Sequence, residues 1–303
     1  MCSIGARQDA LNRLPRSMIV ARTRASLRDA RARLPESVGV VPTMGALHEG
    51  HRALLRAARR RERSVVATLF VNRTQFNDPA DYAAYPRDEG EDLAAFEACG
   101  VDLVFTPPVS EMYPRGFGTR IDPGPIGAEL EGARRPGHFA GVATVVAKLF
   151  NLTRPTRAYF GQKDWQQTRV IARLVKDLDL PIDPVIVPTV RDSDGLALSS
   201  RNVRLTPDQR QAATALWRGL ASAHEAWDDD ERSPTALEEL VRTAIRAEPL
   251  AKLEYAEVRH ALTLEPVKSA RPPLVIAVAA EVGGIGLIDN VVLGDGLVDS
   301  GGS

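Results

Sequence analysis

Short apolar runs rich in β-branched residues alternate with amphipathic helical patterns along the first two-thirds of the chain. The sequence predicts strands near residues 18–20, 38–41, 65–71, 101–105, 158–160 and 185–190, and helices near 24–34, 50–61, 89–98, 141–151 and 164–176. Strands separated by helical stretches of roughly 10–15 residues are typical of βαβ units. Runs such as 38–41 are apolar throughout, as in strands covered on both faces. The pattern therefore predicts an α/β domain built on a parallel sheet.

The pattern changes after residue 190. Thr206-Pro207-Asp208-Gln209 has the spacing of a capping box and predicts a helix that runs to about Ala226. Another helix is predicted from Ser233, and strand-like segments follow near 253–259, 274–280 and 287–293. Helices followed by neighbouring strands indicate a separate α+β domain. We therefore expect two domains, residues 1–189 and 190–303, and a long loop over the Pro- and Gly-rich segment 107–136.

The composition narrows the class of protein. The 303 residues are 44% hydrophobic and 26% charged, as in ordinary globular proteins. The 39 basic residues balance the 39 acidic ones, whereas proteins that bind phosphate backbones usually carry a basic surplus. Cys2 and Cys99 are too few for a disulfide framework, no apolar run is long enough to span a membrane, and the charged N-terminus lacks the apolar core of a secretory signal. We therefore expect a cytoplasmic protein that binds neither nucleic acid nor membrane.

Residues 42–51 connect a buried strand to a helix and carry two histidines. Ligands of open parallel sheets bind beyond the carboxyl ends of the strands, and a helix N-terminus presents N–H groups to an anion. His48 and His51 lie at this point, and Gly50 lets a ligand approach the backbone. Imidazoles can stabilise charge that develops on a phosphoryl group, so the context favours a polyphosphate site over histidines that only cap the helix. Zinc is disfavoured because the spacing is not HExxH and CxxC pairs are absent.

A second strand runs into a helix at residues 159–167. Lys163 would present a point charge to phosphates, and Asp164 could help to hold Mg²⁺. Gln167 lies one helical turn further on and is predicted to face the same side as Lys163. Taken alone, the same residues could equally be solvated side chains of a first helical turn.

Two polar loops complete the candidate site. Ser199, Ser200 and Arg201 lie near the proposed domain junction and could bind phosphate oxygens. Asn72 and Gln75 follow the third predicted strand, and their amides suit hydroxyl and carboxylate groups of a small substrate. In isolation these segments could be an ordinary polar loop and a turn. The sequence has no GxSxG, GxxxxGK[ST] or GxGxxG after a suitable strand, which argues against a serine hydrolase, a P-loop kinase and a dinucleotide dehydrogenase.

Four ordered runs carry a resemblance to a known family: PTMGALHEGH, FVNRTQF, FGQKDWQQ and VPTVRDSDGLALSSRN. The HxGH motif, the lysine before a helix and the Ser-Ser-Arg loop resemble the nucleotidylyltransferase superfamily, and the four runs together resemble the pantoate–β-alanine ligase (pantothenate synthetase) family. The resemblance implies a Rossmann-like parallel sheet domain with a smaller C-terminal α+β domain that closes over ATP. It implies a Mg²⁺-dependent homodimer that forms pantoyl adenylate and pyrophosphate from ATP and pantoate. The amine of β-alanine then attacks the adenylate and gives pantothenate and AMP.

The resemblance also implies roles for particular residues. His51 would be the proton donor, with His48, Lys163 and Arg201 as the other catalytic groups. Gln75, Gln167 and Asn72 would bind the substrate pantoate, with Gln75 also near β-alanine, and Asp164 would hold the metal. The remaining ATP-binding residues would be Met44, Gly45, Ala46, Leu47, Glu49, Gly50, Gly161, Gln162, Asp164, Val190, Leu198, Ser199 and Ser200.

The chain departs from the family pattern at three positions. Arg73 replaces a usual proline, Gln162 a usual glutamate and Trp165 a usual tyrosine. Two alternatives to the ligase remain at this point. One is a nucleotidylyltransferase with a different acceptor, and the other is a catalytically silent module that binds pantoate or ATP.

Overall fold

A six-stranded parallel sheet forms the larger part of the computed structural model, which describes residues 17–294 and 296–298. Residues 1–16, which carry Cys2 and the charged N-terminal segment, lie outside the described residues. The strand order is β1-β4-β3-β2-β5-β6, with β1 (Ile19–Ala21), β2 (Val38–Thr43), β3 (Ser64–Leu69), β4 (Leu103–Phe105), β5 (Arg157–Gly161) and β6 (Asp183–Val187). From β2 the chain proceeds outward through β3 and β4, whereas β5 and β6 lie on the other side of β2. The order therefore reverses between β2 and β5, the point at which such sheets bind ligands.

Helices cover both faces of this sheet. Their bounds are α1 (Arg24–Arg31), α2 (Glu49–Arg61), α3 (Pro79–Ala84), α4 (Glu89–Ala98), α5 (Val109–Met112), α6 (Glu131–Arg134), α7 (His138–Thr153) and α8 (Trp165–Asp177). Adjacent residues of β2 pack into different hydrophobic cores. Val40 lies in the core formed with α1, α7 and α8, whereas Val41 lies in the core formed with α2 and α4. This arrangement explains why the strands are apolar throughout, and it confirms the predicted parallel sheet covered on both faces.

A smaller antiparallel sheet follows, with strands in the order β7-β8-β9. Its elements are α9 (Pro207–Ala213), α10 (Ala215–Asp228), α11 (Pro234–Arg246), β7 (Ala251–His260), β8 (Leu274–Val282) and β9 (Ile285–Leu293). The predicted single helix from 206 to about 226 is wrong, because it is interrupted at Thr214. The Thr214 N–H and hydroxyl both bond to the carbonyl of Gln211, at 3.2 and 2.7 Å, and this tight turn separates α9 from α10.

The structure corrects two further expectations and adds one helix that was not predicted. The segment predicted as a loop over 107–136 contains α5, α6 and a 3₁₀ turn at Gly124–Gly127. The strand predicted to end at residue 190 stops at Val187, before Pro188, which has no N–H for a further ladder bond. The additional helix is α3, which Asp78 caps and whose first turn contains Pro79, two signals of a helix start that the sequence carries. None of the helices in the described part of the chain combines the length and apolarity of a membrane span.

Candidate active site

A cavity of about 230 Å³ opens at the carboxyl ends of β2 and β5, where the strand order reverses. Its lining brings together residues from all four sequence motifs: Met44, His48, Gly50, His51, Asn72, Gln75, Gly161, Lys163, Asp164, Gln167, Val190, Leu198, Ser199, Ser200 and Arg201. The remaining candidates lie outside this lining: Gly45, Ala46, Leu47, Glu49 and Gln162. Segments as far apart in sequence as 44 and 201 therefore converge on one volume.

His48 and His51 form a reciprocal cap at the start of α2. His48 Nδ1 accepts from the Gly50 N–H at 3.1 Å, and His51 Nδ1 accepts from the His48 N–H at 3.3 Å. Each neutral imidazole therefore carries its proton on Nε2, which is left as a hydrogen-bond donor. The interpretation as capping histidines thus describes the local geometry correctly, and the cap orients two donors that line the cavity.

Both imidazoles are neutral at pH 7. Burial, together with the positive charge of Lys163, lowers the pKa of His48 to about 4. Burial also lowers the pKa of His51 to about 3, with contributions from His48 and Lys163. The centroids of the two rings lie 4.1 Å apart, so protonation of both imidazoles at once would be strongly unfavourable. The pair can therefore donate hydrogen bonds without carrying charge.

The loop between β2 and α2 is held from behind by Asp92. Its carboxylate accepts from the backbone N–H groups of Ala46 at 3.1 Å and Leu47 at 2.9 Å. Gly45 has φ +90°, and a Cβ there would lie 2.6 Å from the carboxylate. Gly45, Ala46 and Leu47 therefore shape the loop that carries the histidines.

Lys163 lies in a 3₁₀ turn, Gln162–Asp164, between β5 and α8. Its Nζ is 4.0 Å from Asp164 Oδ1, and Gln167 lines the same cavity, as the helical spacing predicted. The turn is held from the antiparallel sheet by Asn290, whose amide donates to the carbonyl oxygens of Gln162 at 3.0 Å and Lys163 at 2.9 Å. A residue more than a hundred positions away thus fixes the backbone that carries the lysine.

The Ser-Ser-Arg loop contacts α3. Arg201 Nη2 lies 2.9 Å from Asp81 Oδ2, and the Ser200 and Tyr85 hydroxyl oxygens are 3.3 Å apart. The Arg201 charge is therefore held beside the cavity by a carboxylate from a helix that the sequence analysis missed.

Three further residues that the sequence motifs did not indicate line the cavity: Arg135, His138 and Tyr85. Arg135 Nη2 and His138 Nδ1 both reach the carbonyl oxygen of Gln75, at 3.1 and 2.7 Å. Burial lowers the pKa of Arg135, and the charge of Arg201 adds to the effect. Among the described residues no carboxylate forms an ion pair with Arg135. A run of arginine, proline, glycine and histidine just before an apolar helix was the available signal.

Comparison with known proteins decides the family. The family model for pantoate-beta-alanine ligase matches residues 18–292. The chain belongs to the pantoate–β-alanine ligase family.

Relatives within the pantoate–β-alanine ligase family span almost the same length. The pantothenate synthetase of Roseiflexus sp. (strain RS-1) is 54% identical over 91% of this chain and 99% of its own. The crystal structure of pantothenate synthetase from Thermus thermophilus has a TM-score of 0.86 at 47% identity, covering 90% of this chain and 99% of that one. The Francisella tularensis ligase, complexed with beta-gamma ATP and beta-alanine, has a TM-score of 0.75 at 35% identity, covering 91% and 98%. The predicted family and the predicted fold class, a parallel α/β sheet with a smaller α+β part, are both confirmed.

Two of the three departures from the pantoate–β-alanine ligase pattern have clear contacts. The indole N–H of the buried Trp165 donates to the Ala261 carbonyl at 2.9 Å, so this position retains a hydrogen-bond donor. Gln162 Nε2 lies 3.4 Å from Asn290 Oδ1, which joins the lysine turn to β9. Arg73 opens the 3₁₀ turn Arg73–Gln75.

Proposed function

We infer that the chain is an AMP-forming pantoate–β-alanine ligase. The observation that carries this function is the single cavity at the strand-order reversal, which collects two histidines, a lysine, an arginine and two glutamines from separate motifs. Positive and donor groups suit the phosphates of ATP, and amides suit a small hydroxy acid. The pantothenate synthetases that match over nine-tenths of the chain support the same reaction.

In the first step a carboxylate oxygen of pantoate attacks the α-phosphorus of ATP. The new P–O bond forms as the bond to the β-phosphate oxygen breaks, and pyrophosphate leaves with the electron pair. The neutral Nε2–H groups of His48 and His51 donate to the phosphate oxygens on which charge develops, and Lys163 and Arg201 supply positive charge. Burial keeps both histidines neutral, so we propose that His51 acts as a hydrogen-bond donor from its neutral form.

In the second step the amine of β-alanine attacks the acyl carbonyl of the adenylate. The amide bond forms, AMP leaves, and the amine loses a proton. Gln75 and Gln167 hold the pantoyl group in the proposed site, with Asn72 behind Gln75. We assign a substrate carboxylate to Arg135, because it is a half-buried cation that lines the cavity and has no carboxylate partner among the described residues. Positioning two reactants in one cavity supplies much of the rate enhancement.

We propose that Mg²⁺ accompanies ATP and that Asp164 contributes its protein ligand. The described residues contain no group of three or more His, Cys, Asp or Glu side chains that could hold a metal alone. A single carboxylate that lines the cavity nevertheless fits Mg²⁺, which is commonly held by one or two carboxylates together with substrate phosphates. When bound, the ion neutralises phosphate charge.

We further propose that residues 1–189 bind ATP and pantoate, that residues 190–303 form the smaller domain that closes over ATP, and that the enzyme is a cytoplasmic homodimer. The homodimer follows from the family resemblance, and light scattering of the purified protein tests it. The location follows from the two cysteines, which are too few for a disulfide framework.

The deciding experiment measures pyrophosphate, AMP and pantothenate from ATP, Mg²⁺ and pantoate, with and without β-alanine. We expect pantothenate and AMP in equal amounts only when β-alanine is present. Pyrophosphate release without pantothenate would indicate a nucleotidylyltransferase with a different acceptor. Binding of ATP and pantoate without any turnover would indicate the silent binding module.

A further inference from the structure

We propose that Tyr113 is a positioning residue that holds Asn72 in place and, through it, keeps the Gln75 amide with its nitrogen facing the substrate. Tyr113 Oη donates to Asn72 Oδ1 at 2.7 Å, and Asn72 Nδ2 donates to Gln75 Oε1 at 3.0 Å. The inference deepens the proposed function, because it assumes that pantoate is the ligand beside Gln75. It adds a residue from the segment after α5, outside the four motifs.

The backbone of α7 sets the direction of this chain of hydrogen bonds. Asn72 Nδ2 also lies 3.2 Å from the carbonyl oxygen of Gly141, and a carbonyl can only accept. The amide nitrogen of Asn72 must therefore face Gly141, and its oxygen must face the hydroxyls of Tyr113 and Thr74, the latter at 2.9 Å. With Gln75 Oε1 as the fourth partner, every hydrogen-bonding position of the Asn72 amide is used. Asn72 is also only 1% exposed, so its amide acts on the substrate through Gln75.

Gly141 makes this contact possible. A Cβ at position 141 would lie 2.3 Å from the Thr74 carbonyl oxygen and 2.9 Å from the Gln75 nitrogen. Any larger residue would push α7 away from the 3₁₀ turn Arg73–Gln75 and remove its carbonyl from Asn72. The close contact between α7 and this turn is therefore needed for the hydrogen bonds that orient Asn72 and Gln75.

The orientation of the Asn72 amide fixes the orientation of the Gln75 amide. Because its Oε1 is taken by Asn72, its Nε2–H groups remain as donors, and Nε2 now lies 3.2 Å from Met44 Sδ. A thioether is a weak acceptor, which a substrate oxygen can replace. A flipped amide would place two N–H donors against each other at Asn72. The position therefore selects an acceptor on the substrate, a carboxylate or hydroxyl oxygen, and discriminates against an amide N–H or ammonium group.

Steady-state kinetics of the full-length Tyr113→Phe variant test the proposal. Phenylalanine keeps the ring contacts with Phe70 and Phe117, whose centroids lie 6.1 and 5.1 Å away, and removes only the hydroxyl. We expect KM for pantoate to rise about three- to tenfold, the size of one neutral hydrogen bond, with KM for ATP unchanged and only a small fall in Tm. Tyr82→Phe is the matched control, because its hydroxyl has no hydrogen-bond partner within the described residues while its ring packs on Phe76.

A second variant reverses the polarity. In Asn72→Asp the carboxylate cannot donate, so Gln75 turns its nitrogen inward and presents its oxygen to the substrate. We expect KM for pantoate to rise more than about tenfold, more than in Tyr113→Phe, since the donor is replaced by an acceptor. Tyr113→Phe decides the matter if this variant does not fold.

The outcomes separate the two proposals. A KM for pantoate within twofold of wild type in Tyr113→Phe overturns the positioning role, and so does a parallel rise in KM for ATP with a lower Tm. If the wild type makes no pantothenate, the proposed function fails, and calorimetry with pantoate then tests the positioning role alone. Weaker binding of pantoate by Tyr113→Phe than by Tyr82→Phe supports it, whereas equal binding overturns it.

Discussion

The two sheets contribute to the cavity in different ways. Within the described residues, every side chain that lines the cavity precedes residue 202, and the parallel sheet and its loops supply most of them. The antiparallel sheet instead supplies Asn290, which bonds to the carbonyls of Gln162 and Lys163. Beside it, Asp289 forms an ion pair with Arg191 in the connecting segment. The parallel sheet and its loops therefore carry most of the side chains that line the cavity, and the antiparallel sheet holds part of the backbone that carries them.

The hydrogen bonds that hold the histidine loop and those that hold the lysine turn differ in the sequence separation of their partners. His48 and His51 are oriented by hydrogen bonds between residues two and three positions apart. The turn that carries Lys163 is held by an amide 127 positions away in sequence. The histidine loop is thus set by local sequence, whereas the lysine turn depends on how the second sheet docks. Variants of the two should behave differently.

The largest effect is expected from the residues that face the phosphates. His51→Ala and Lys163→Ala should each reduce pyrophosphate release by more than about a hundredfold, because each removes a group that stabilises charge in the transition state. Circular dichroism should remain close to wild type for both, since both residues line a cavity, and Tm should fall slightly only in His51→Ala, which also loses the acceptor of the His48 N–H at the start of α2. The control is His224→Ala, a histidine of α10 with a side chain 45% exposed. Near-normal release by either variant would remove that residue from the site.

Loss of the support from the second sheet should cost less. Asn290→Ala leaves the carbonyls of Gln162 and Lys163 without their donor and the Gln162 side chain without its acceptor, and we expect KM for ATP to rise about tenfold because of the three bonds lost. KM for pantoate should change less, because Gln75 is held by α7. Asn151→Ala, which removes an exposed amide of α7, serves as the control. Equal effects on both substrates would mean that Asn290 stabilises the fold as a whole.

The same contrast explains what the sequence could predict. The histidine pair, Lys163 and Gln167 follow strand-to-helix connections, where apolar runs, glycine and helical spacing indicate position directly. Arg135 and His138 were missed because their place depends on how the segment after β4 folds back over the sheet. Asn290 was missed for a stronger reason: it lies inside the predicted strand 287–293, and no motif there indicates that Asp289 and Asn290 are buried against the other sheet. Its role arises only from docking between the two sheets.

Breaks within elements were harder to predict than their beginnings. The capping box at Thr206 and the proline that follows it correctly predicted where α9 begins. The interruption at Thr214 comes from its side-chain hydroxyl, which bonds to the Gln211 carbonyl and accepts from Arg218 at 2.7 Å. Hydrophobic periodicity cannot reveal such side-chain hydrogen bonds, because the apolar pattern continues across the break at Thr214.

The smallest predicted effect concerns a histidine on the parallel-sheet side. His138 is 8% exposed, and burial together with the charge of Arg135 lowers its pKa to about 4. Because the unfolded imidazole titrates near 6.5, the unfolded chain binds more protons between pH 6.5 and 4. The neutral imidazole therefore contributes stability above pH 6.5, and this contribution is lost as the pH falls toward 4. Between pH 7.5 and 5.5 the free energy of unfolding should fall by about 1 kcal/mol through this residue alone.

Urea unfolding at several pH values measures that contribution. His138→Gln keeps a side-chain donor that can reach the Gln75 carbonyl but does not titrate, so its stability should fall less steeply with pH than that of the wild type. His224→Gln, which replaces an exposed imidazole of α10, is the control for a histidine-to-glutamine change away from the cavity. If the two variants show the same pH dependence, His138 is not buried in its neutral form. The contrast between the two regions would then hold for their contacts and not for their protonation.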